Sequence, residues 1–192
     1  CLSFNGNKII TAAGGGMILT NNLKIARKAK YLTTQAKDDP INYIHNDIGY
    51  NFRLSNIQAA LGLAQLESLT AYIKKKKIIH EIYKSKIDKI KGLRISKTSH
   101  SDKCNHWLNI VEINKRLSKK GFSKIIQYLS NNGIEVRPIW YPNHLQKKYK
   151  KCQTYKLHNI KKIYRNRLCL PSSTQLTKVQ QDFICKKLNN IF

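Results

Sequence analysis

The positions of apolar residues predict short strands at the start of the chain. The first twenty residues contain two extended pieces, Cys1–Phe4 with Ile9–Thr11 and Gly16–Thr20. They flank the run Ala12–Gly16, whose three glycines give a very permissive backbone. The pattern therefore predicts two short extended pieces around a turn.

A helix and a long loop are predicted next. The pair Asn21-Asn22 supplies an N-cap, and the following residues Leu23–Thr33 have helical composition. Residues 34–50 are polar and show no sustained period, so we expect a loop. Loops of that length are usually functional or mobile.

The clearest helical pattern covers Leu54–Leu69, with Ser55 or Asn56 as its cap. Apolar residues recur there every three or four positions, which is the period of an α-helix. The pattern continues to about Ile90, and Gly92 follows it. We therefore expect one long connecting helix that Gly92 ends.

The rest of the chain predicts a compact α+β unit without internal repeats. The strand or extended candidates are Leu93–Ser96, the β-branched segment Trp107–Ile113, and Ile134–Trp140. The helix candidates are Ser118–Asn131, closed by Asn132-Gly133, then Tyr155–Arg165 and Thr177–Leu188. The last two helices are separated by the segment Cys169–Ser173.

The composition is strongly basic, with 36 Lys and Arg residues against 10 Asp and Glu and a formal charge of +26. A surface of that charge attracts nucleic acid or anionic lipid. The basic residues are scattered, however, and no recognised nucleic-acid-binding motif accompanies them. We expect no specific nucleic-acid binding, and we interpret the run Lys74–Lys77 as a solvated helix face.

Several features bear on compartment and completeness. No apolar run approaches the roughly 20 residues that span a bilayer, and no secretory signal is visible, so the cytoplasm is the expected location. The five cysteines lack metal-site or disulfide spacing and predict free thiols. The chain starts at Cys1 and its one methionine is Met17. We therefore expect it to be part of a longer reading frame.

Four segments carry chemistry only when they are taken together. A lysine at the end of a strand, such as Lys8 beside Gly-rich backbone, is a weak signal for an activated amine by itself. The segments Ser3–Met17, Gly49–Gly62, Val136–His144 and Leu170–Ser173 together resemble the DegT/DnrJ/StrS-type sugar aminotransferases, in the order and spacing of that family. The resemblance covers essentially the whole chain.

The resemblance implies an α/β fold of the type I pyridoxal phosphate (PLP) dependent transferases, the aspartate-aminotransferase-like fold. This chain would be its C-terminal half. Residues 1–70 would be the end of the large PLP-binding domain, and residues 71–192 the connecting helix and the α+β small domain. In the family, the N-terminal half supplies a phosphate loop, a ring-stacking aromatic residue and an aspartate at the pyridine nitrogen. We therefore expect this chain alone to be inactive.

The resemblance also implies roles for single residues. Lys8 matches the lysine that carries the cofactor and then moves a proton, and Ser3 matches a hydroxyl that binds the cofactor phosphate. Asn51 or Arg53 matches a position that reaches the phosphate in the partner subunit of a homodimer, and both alternatives stay open. Relatives that work as sugar dehydratases have histidine in place of Lys8, so lysine favours a transaminase.

Substrate recognition is assigned in the same way. Arg137, Trp140 and His144 match the family's substrate-facing segment, while Trp107 fits either a core role or the border of the site. No metal is expected. The implied reaction transfers an amino group from glutamate to a nucleotide-linked 4-keto-6-deoxy sugar in surface-polysaccharide or nonulosonic-acid biosynthesis.

One loop narrows the implied subgroup. The segment Leu32–Pro40, followed by Tyr43–His45, looks like that of the aminotransferases of legionaminic-acid-type biosynthesis. Two rival hypotheses remain: a truncated remnant without catalytic activity, and a basic nucleic-acid-binding module. The second predicts tight and strongly salt-dependent binding.

Overall fold

The computed structural model describes residues 1–97, 104–114, 116 and 121–192. The chain divides into two compact units, residues 1–72 and residues 73–192. Each unit has its own antiparallel sheet. In the part of the chain that the structure describes, no helix is both long enough and apolar enough to cross a membrane.

The first unit starts with a two-stranded ribbon. Strand β1 (Leu2–Ser3) pairs with β2 (Gly16–Met17), and Leu2 lies opposite Met17. Both strands are shorter than expected, because the segment between them folds back on itself. The chain bends at residues 9 and 10 instead of extending. The Thr11 hydroxyl and the Ala12 amide then donate hydrogen bonds to the Phe4 carbonyl, directly after β1.

Two capped helices follow. Helix α1 (Leu23–Thr33) has the predicted limits, and the Asn22 side chain accepts the amide protons of its first turn. Helix α2 (Asn56–Glu67) begins with a capping box between Ser55 and Gln58, so Ser55 is the N-cap. Neither helix contains a buried residue.

The polar segment over residues 34–50 contains neither helix nor strand, as predicted, but it is internally bonded. The Asp38 carboxylate accepts hydrogen bonds from the Tyr31 hydroxyl (2.9 Å) and the Asn46 amide (2.8 Å), which lowers its pKa. A Cβ on Gly49 would lie 2.2 Å from the Ala36 nitrogen, so the two ends of this loop contact each other at a residue without a side chain.

The second unit is built on a four-stranded sheet with the order β3-β4-β6-β5. The strands are β3 (Leu93–Ile95), β4 (Asn109–Ile113), β5 (Arg137–Pro138) and β6 (Arg167–Leu170). The helices are α3 (Leu69–Ile87), α4 (Phe122–Asn131), α5 (Ile160–Ile163) and α6 (Lys178–Asn189), of which α3 starts in the first unit.

A core of large apolar side chains holds this unit together. Its fully buried members come from α3, the sheet, α4 and the C-terminal end: Tyr83, Ile87, Val111, Ile113, Ile125, Leu129, Leu168, Leu188 and Ile191. The first unit differs, since its buried hydrophobic residues are Ala12 and Ala36. The large-residue core therefore lies in the second unit.

Two expectations about the elements need correction. The long helix is two helices, because α2 ends at its cap residue Ser68 and α3 starts at the next residue. The helix expected over Tyr155–Arg165 is a 3-10 turn followed by the one-turn α5, after Lys156 takes a left-handed conformation (φ 47°). Of the helix predicted over Ser118–Asn131, residues 118–120 lie outside the described residues.

The central strand β6 was missed. Its residues formed only a spacer between two helices in the sequence pattern, yet they pair with β4 on one side and β5 on the other. The five cysteines are all free, as predicted, and Cys169 and Cys185 are buried.

Candidate active site

The backbone around Lys8 is fixed by hydrogen bonds within the first unit. The Lys8 amide donates to the Asn5 carbonyl (3.0 Å) in a tight turn after β1. The Phe4 carbonyl accepts from the Ala12 amide (3.0 Å) and from the Thr11 hydroxyl (2.9 Å). The half-buried Lys8 side chain therefore starts from a closed loop whose two ends are tied together.

The glycine run closes this loop against the start of α2. Gly15 has φ +78°, and a Cβ there would lie 2.5 Å from Leu54 Cδ2. At Gly16 a Cβ would lie 2.5 Å from the Leu2 carbonyl oxygen. Gly62 on α2 lies beside the buried Ala12, since a Cβ on Gly62 would lie 3.5 Å from the Ala12 Cβ. Absence of side chains thus permits the Lys8 loop to contact α2 closely.

Ser3 lies at the end of β1 with an exposed side chain. Its Oγ accepts the Asn5 amide proton at 3.4 Å. A hydroxyl oxygen that accepts one hydrogen bond can still donate its proton to an anion. Ser3 therefore presents a donor at the same turn that carries Lys8.

Asn51 and Arg53 lie in the extended segment before α2, and both are exposed. Asn51 forms an isolated antiparallel bridge with Thr34. The rings of Tyr50 and Phe52 stack at 4.9 Å, which places these two side chains on one side of the segment. In extended backbone successive side chains point to opposite sides, so Asn51 and Arg53 share the other side, and the geometry leaves both as alternatives.

The three predicted substrate residues lie in the second unit. Arg137, on β5, forms an exposed ion pair with Glu135. Trp140 is 63% exposed, and its ring lies 5.8 Å from that of Trp107. His144 lies in a 3-10 turn, and its Nε2 is buried without a hydrogen-bond partner among the described residues. The unit thus exposes a cation and an aromatic face.

A buried polar cluster in the second unit was missed by sequence reasoning. The Lys76 ammonium on α3 donates to the backbone carbonyls of Trp107 (2.8 Å) and Ser172. One helical turn later, His80 Nδ1 bonds to Asn109 Oδ1 (2.9 Å), and Asn109 Nδ2 donates to the Ser172 hydroxyl (3.0 Å). All of these side chains except that of Trp107 are buried.

The cluster corrects the interpretation of the run Lys74–Lys77. Three of its lysines are exposed, but Lys76 is 5% exposed, and burial lowers its pKa to about 8. A signal was available: Lys76 shares the helical face of Ile79, Tyr83 and Ile87 at spacings of three, seven and eleven. The abundance of lysine around it hid that position.

Comparison with known proteins places these features in context. Residues 1–189 match the model of the DegT/DnrJ/EryC1/StrS aminotransferase family. The chain is 34% identical over 194 residues to the putative pyridoxal phosphate-dependent aminotransferase EpsN of Bacillus subtilis (strain 168), covering 99% of this chain and 49% of that protein. It is also 34% identical over 191 residues to GDP-perosamine synthase of Escherichia coli O157:H7, covering 99% and 50%.

A solved structure supports the fold. The chain superposes on the crystal structure of DesI in the presence of its TDP-sugar product with a TM-score of 0.85. The two are 22% identical, and the match covers 98% of this chain and 48% of that one. The predicted type I PLP-dependent transferase fold is confirmed. The chain spans about half the length of these relatives. It belongs to the DegT/DnrJ/EryC1/StrS aminotransferase family.

Proposed function

We propose that this chain is the lysine-bearing half of an enzyme that transfers an amino group from glutamate to a nucleotide-linked 4-keto-6-deoxy sugar with pyridoxal phosphate. The observation that carries the proposal is the position of Lys8 in a hydrogen-bonded loop, five residues after the Ser3 hydroxyl. Family membership supports it.

The described residues fit the cofactor by their chemistry. An aldehyde with a phosphate group needs a primary amine and anion donors, and Lys8 and Ser3 supply one of each on a single turn. When bound, pyridoxal phosphate supplies an electron sink for the substrate amine. Lys8 would hold the cofactor through its amine and, when that amine is free, would hold and return a proton at the substrate carbon.

Phosphate binding is shared between subunits in this proposal. Ser3 donates to the phosphate bound beside its own Lys8, and Asn51 or Arg53 donates to the phosphate of the partner subunit in a homodimer. Arg53 offers a charged, bidentate donor, whereas Asn51 offers a neutral amide. The Arg53→Ala and Asn51→Ala variants separate them, because the one that loses cofactor more readily on dialysis identifies the contact.

The sugar-nucleotide side is assigned to the second unit. Trp140 exposes an aromatic face, and Arg137, three residues before it, exposes a guanidinium. His144 Nε2 is buried without a partner among the described residues, so a ligand hydroxyl would satisfy it. The relative named GDP-perosamine synthase supports a nucleotide sugar as acceptor. Within that class, the loop over residues 32–45 favours an N-acetylated sugar of the legionaminic-acid type.

The first unit gives a reason to expect that residues beyond these 192 are needed for activity. It leaves sixteen large hydrophobic residues exposed, from Leu2 to Leu66, and neither α1 nor α2 buries a residue. Exposed apolar area of that kind marks a surface that another segment covers. A chain of half the relatives' length is consistent with this expectation.

Borohydride reduction and peptide mass spectrometry test the assignment of Lys8. Reduction in the presence of pyridoxal phosphate fixes the cofactor to the lysine that carries it. In the full protein containing this chain, we expect the added mass on the Lys8 peptide, loss of labelling in Lys8→Ala, and normal labelling in Lys24→Ala, a matched exposed lysine on α1. Labelling of another lysine in the wild type would contradict the proposal.

The remnant hypothesis has its own test. The 192-residue chain, incubated with cofactor and glutamate, should neither retain the cofactor nor turn over. If the full protein also fails although Lys8 is intact, the chain is a catalytically silent member of the family.

A further inference from the structure

Lys76 is buried without a carboxylate. It lies on α3, is 5% exposed, and forms no ion pair within the described residues. Its ammonium instead donates to two backbone carbonyls that are far apart in sequence, those of Trp107 and Ser172. Burying an ammonium group is costly unless such partners compensate it. The residue therefore links the backbone just before strand β4 to the backbone just after strand β6.

The first of these segments depends on α3 for its shape. His106 has a left-handed backbone (φ 47°), and its ring stacks on that of His80 at 4.0 Å. The Trp107 amide donates to the Asn105 side chain at 3.1 Å. Two contacts from one face of α3, one turn apart, thus fix the backbone immediately before strand β4: the Lys76 hydrogen bond and the histidine stack.

The second segment follows strand β6. Ser172 donates to the Leu170 carbonyl (2.9 Å) and accepts from Asn109 at the start of β4 (3.1 Å from its amide). The neighbouring Pro171 carbonyl accepts from the Tyr83 hydroxyl of α3 (3.0 Å). This segment is therefore already fixed by several bonds, and it provides a rigid support for the Lys76 ammonium.

The Trp107 side chain connects the backbone that Lys76 holds with an exposed aromatic ring. Its ring meets the Trp140 ring at 5.8 Å with an interplanar angle of 34°, and Trp140 is 63% exposed. Aromatic rings at this separation support one another's orientation. A shift of the Trp107 backbone would consequently change the aromatic face that Trp140 offers to a ligand.

We propose that Lys76 is a positioning residue that clasps the Trp107 and Ser172 carbonyls and thereby sets the Trp107–Trp140 ring pair as a platform for the nucleotide sugar. The identity of the ligand rests on the proposed function. The clasp and the ring geometry are independent of the proposed function, because both are properties of the chain without cofactor or substrate.

Tryptophan spectroscopy tests the clasp directly. The chain contains two tryptophans, so the long-wavelength tryptophan band of near-ultraviolet circular dichroism, and acrylamide quenching of selectively excited tryptophan fluorescence, report on this pair. In the full 192-residue chain, Trp140→Phe identifies the part of the signal that arises from coupling between the two rings. We expect Lys76→Met to lose this coupled signal and to become more accessible to acrylamide, while far-ultraviolet dichroism stays the same.

Matched variants separate positioning from general damage. Lys77→Met changes the exposed neighbouring lysine and should behave as the wild type. Lys76→Gln keeps a shorter neutral donor and should lose part of the coupled signal, and it carries the test if Lys76→Met does not fold. A wild-type signal in either Lys76 variant, or an equal loss in Lys77→Met, would overturn the clasp.

The ligand part is tested separately in the full protein containing this chain. Lys76→Met and Trp140→Ala should both raise KM for the nucleotide sugar with a smaller effect on kcat, and the glutamate half-reaction should stay unchanged. An unchanged KM in both variants, with the spectroscopic result intact, would refute the platform while leaving the clasp in place. Failure of Lys8 labelling, in contrast, concerns only the proposed function.

Discussion

Burial of Lys76 predicts a specific pH dependence of stability. The pKa of Lys76 is lowered from 10.5 to about 8 by burial. Between those values the unfolded chain binds a proton that the folded chain does not, so this group's contribution to the free energy of unfolding rises with pH. The gap corresponds to roughly 3 kcal/mol. The burial cost is complete below about pH 8 and is relieved progressively up to the unfolded pKa.

Several other ionisable groups lie near the clasp. On α3 these are Lys77, His80, Glu81 and Tyr83, and His106 faces them from the segment before β4. Burial, together with the neighbouring His80, lowers the pKa of His106, so it remains neutral across this alkaline range.

Two buried thiols act in the opposite direction. Burial raises the pKa of Cys185 to about 11 and also raises that of Cys169. The unfolded chain releases these protons first, so each thiol lowers the free energy of unfolding as pH rises. The free energy of unfolding of the wild type therefore contains contributions that rise with pH and contributions that fall. Only the difference between two variants isolates the contribution of Lys76.

The difference between wild type and Lys76→Met provides the assay. Urea unfolding followed by tryptophan fluorescence reports on the second unit, which contains both tryptophans. From pH 7 to pH 10 the wild type should gain up to about 3 kcal/mol relative to Lys76→Met, whereas Lys77→Met should run parallel to the wild type. A difference that stays constant with pH to within about 0.5 kcal/mol would refute a neutralised, buried Lys76.

Three local changes have predictable effects. Gly15→Ala should destabilise the first unit by about 1–3 kcal/mol in thermal unfolding, because φ is +78° and the new Cβ meets Leu54; an unchanged midpoint would contradict this. Tyr83→Phe should cost about 1 kcal/mol in urea unfolding, since the bond to the Pro171 carbonyl is lost; a neutral result would show that this carbonyl finds another donor. Asn22→Ala should cost about 1 kcal/mol and speed amide exchange in the first turn of α1, and equal exchange rates would rule out the cap.

The sequence by itself determined the family and the limits of α1, and it supplied Lys8 as a hypothesis for the cofactor lysine. Four short segments carried the resemblance that the family match confirms. The limits of α1, and Ser55 as one of two candidate caps of α2, followed from residues only two or three positions apart. Capping and helical periodicity depend on neighbours along the chain, so a linear pattern contains them.

The tertiary structure decided the features that depend on distant partners. Strand β6 exists because β4 and β5 pair with it from both sides, which its four residues do not encode alone. The break at Ser68 interrupts an apolar pattern that continues through it. Lys76 is buried because two carbonyls, 31 and 96 residues away in sequence, converge on its ammonium. Only folding brings such groups together, and their bonds then offset the cost of burying the charge.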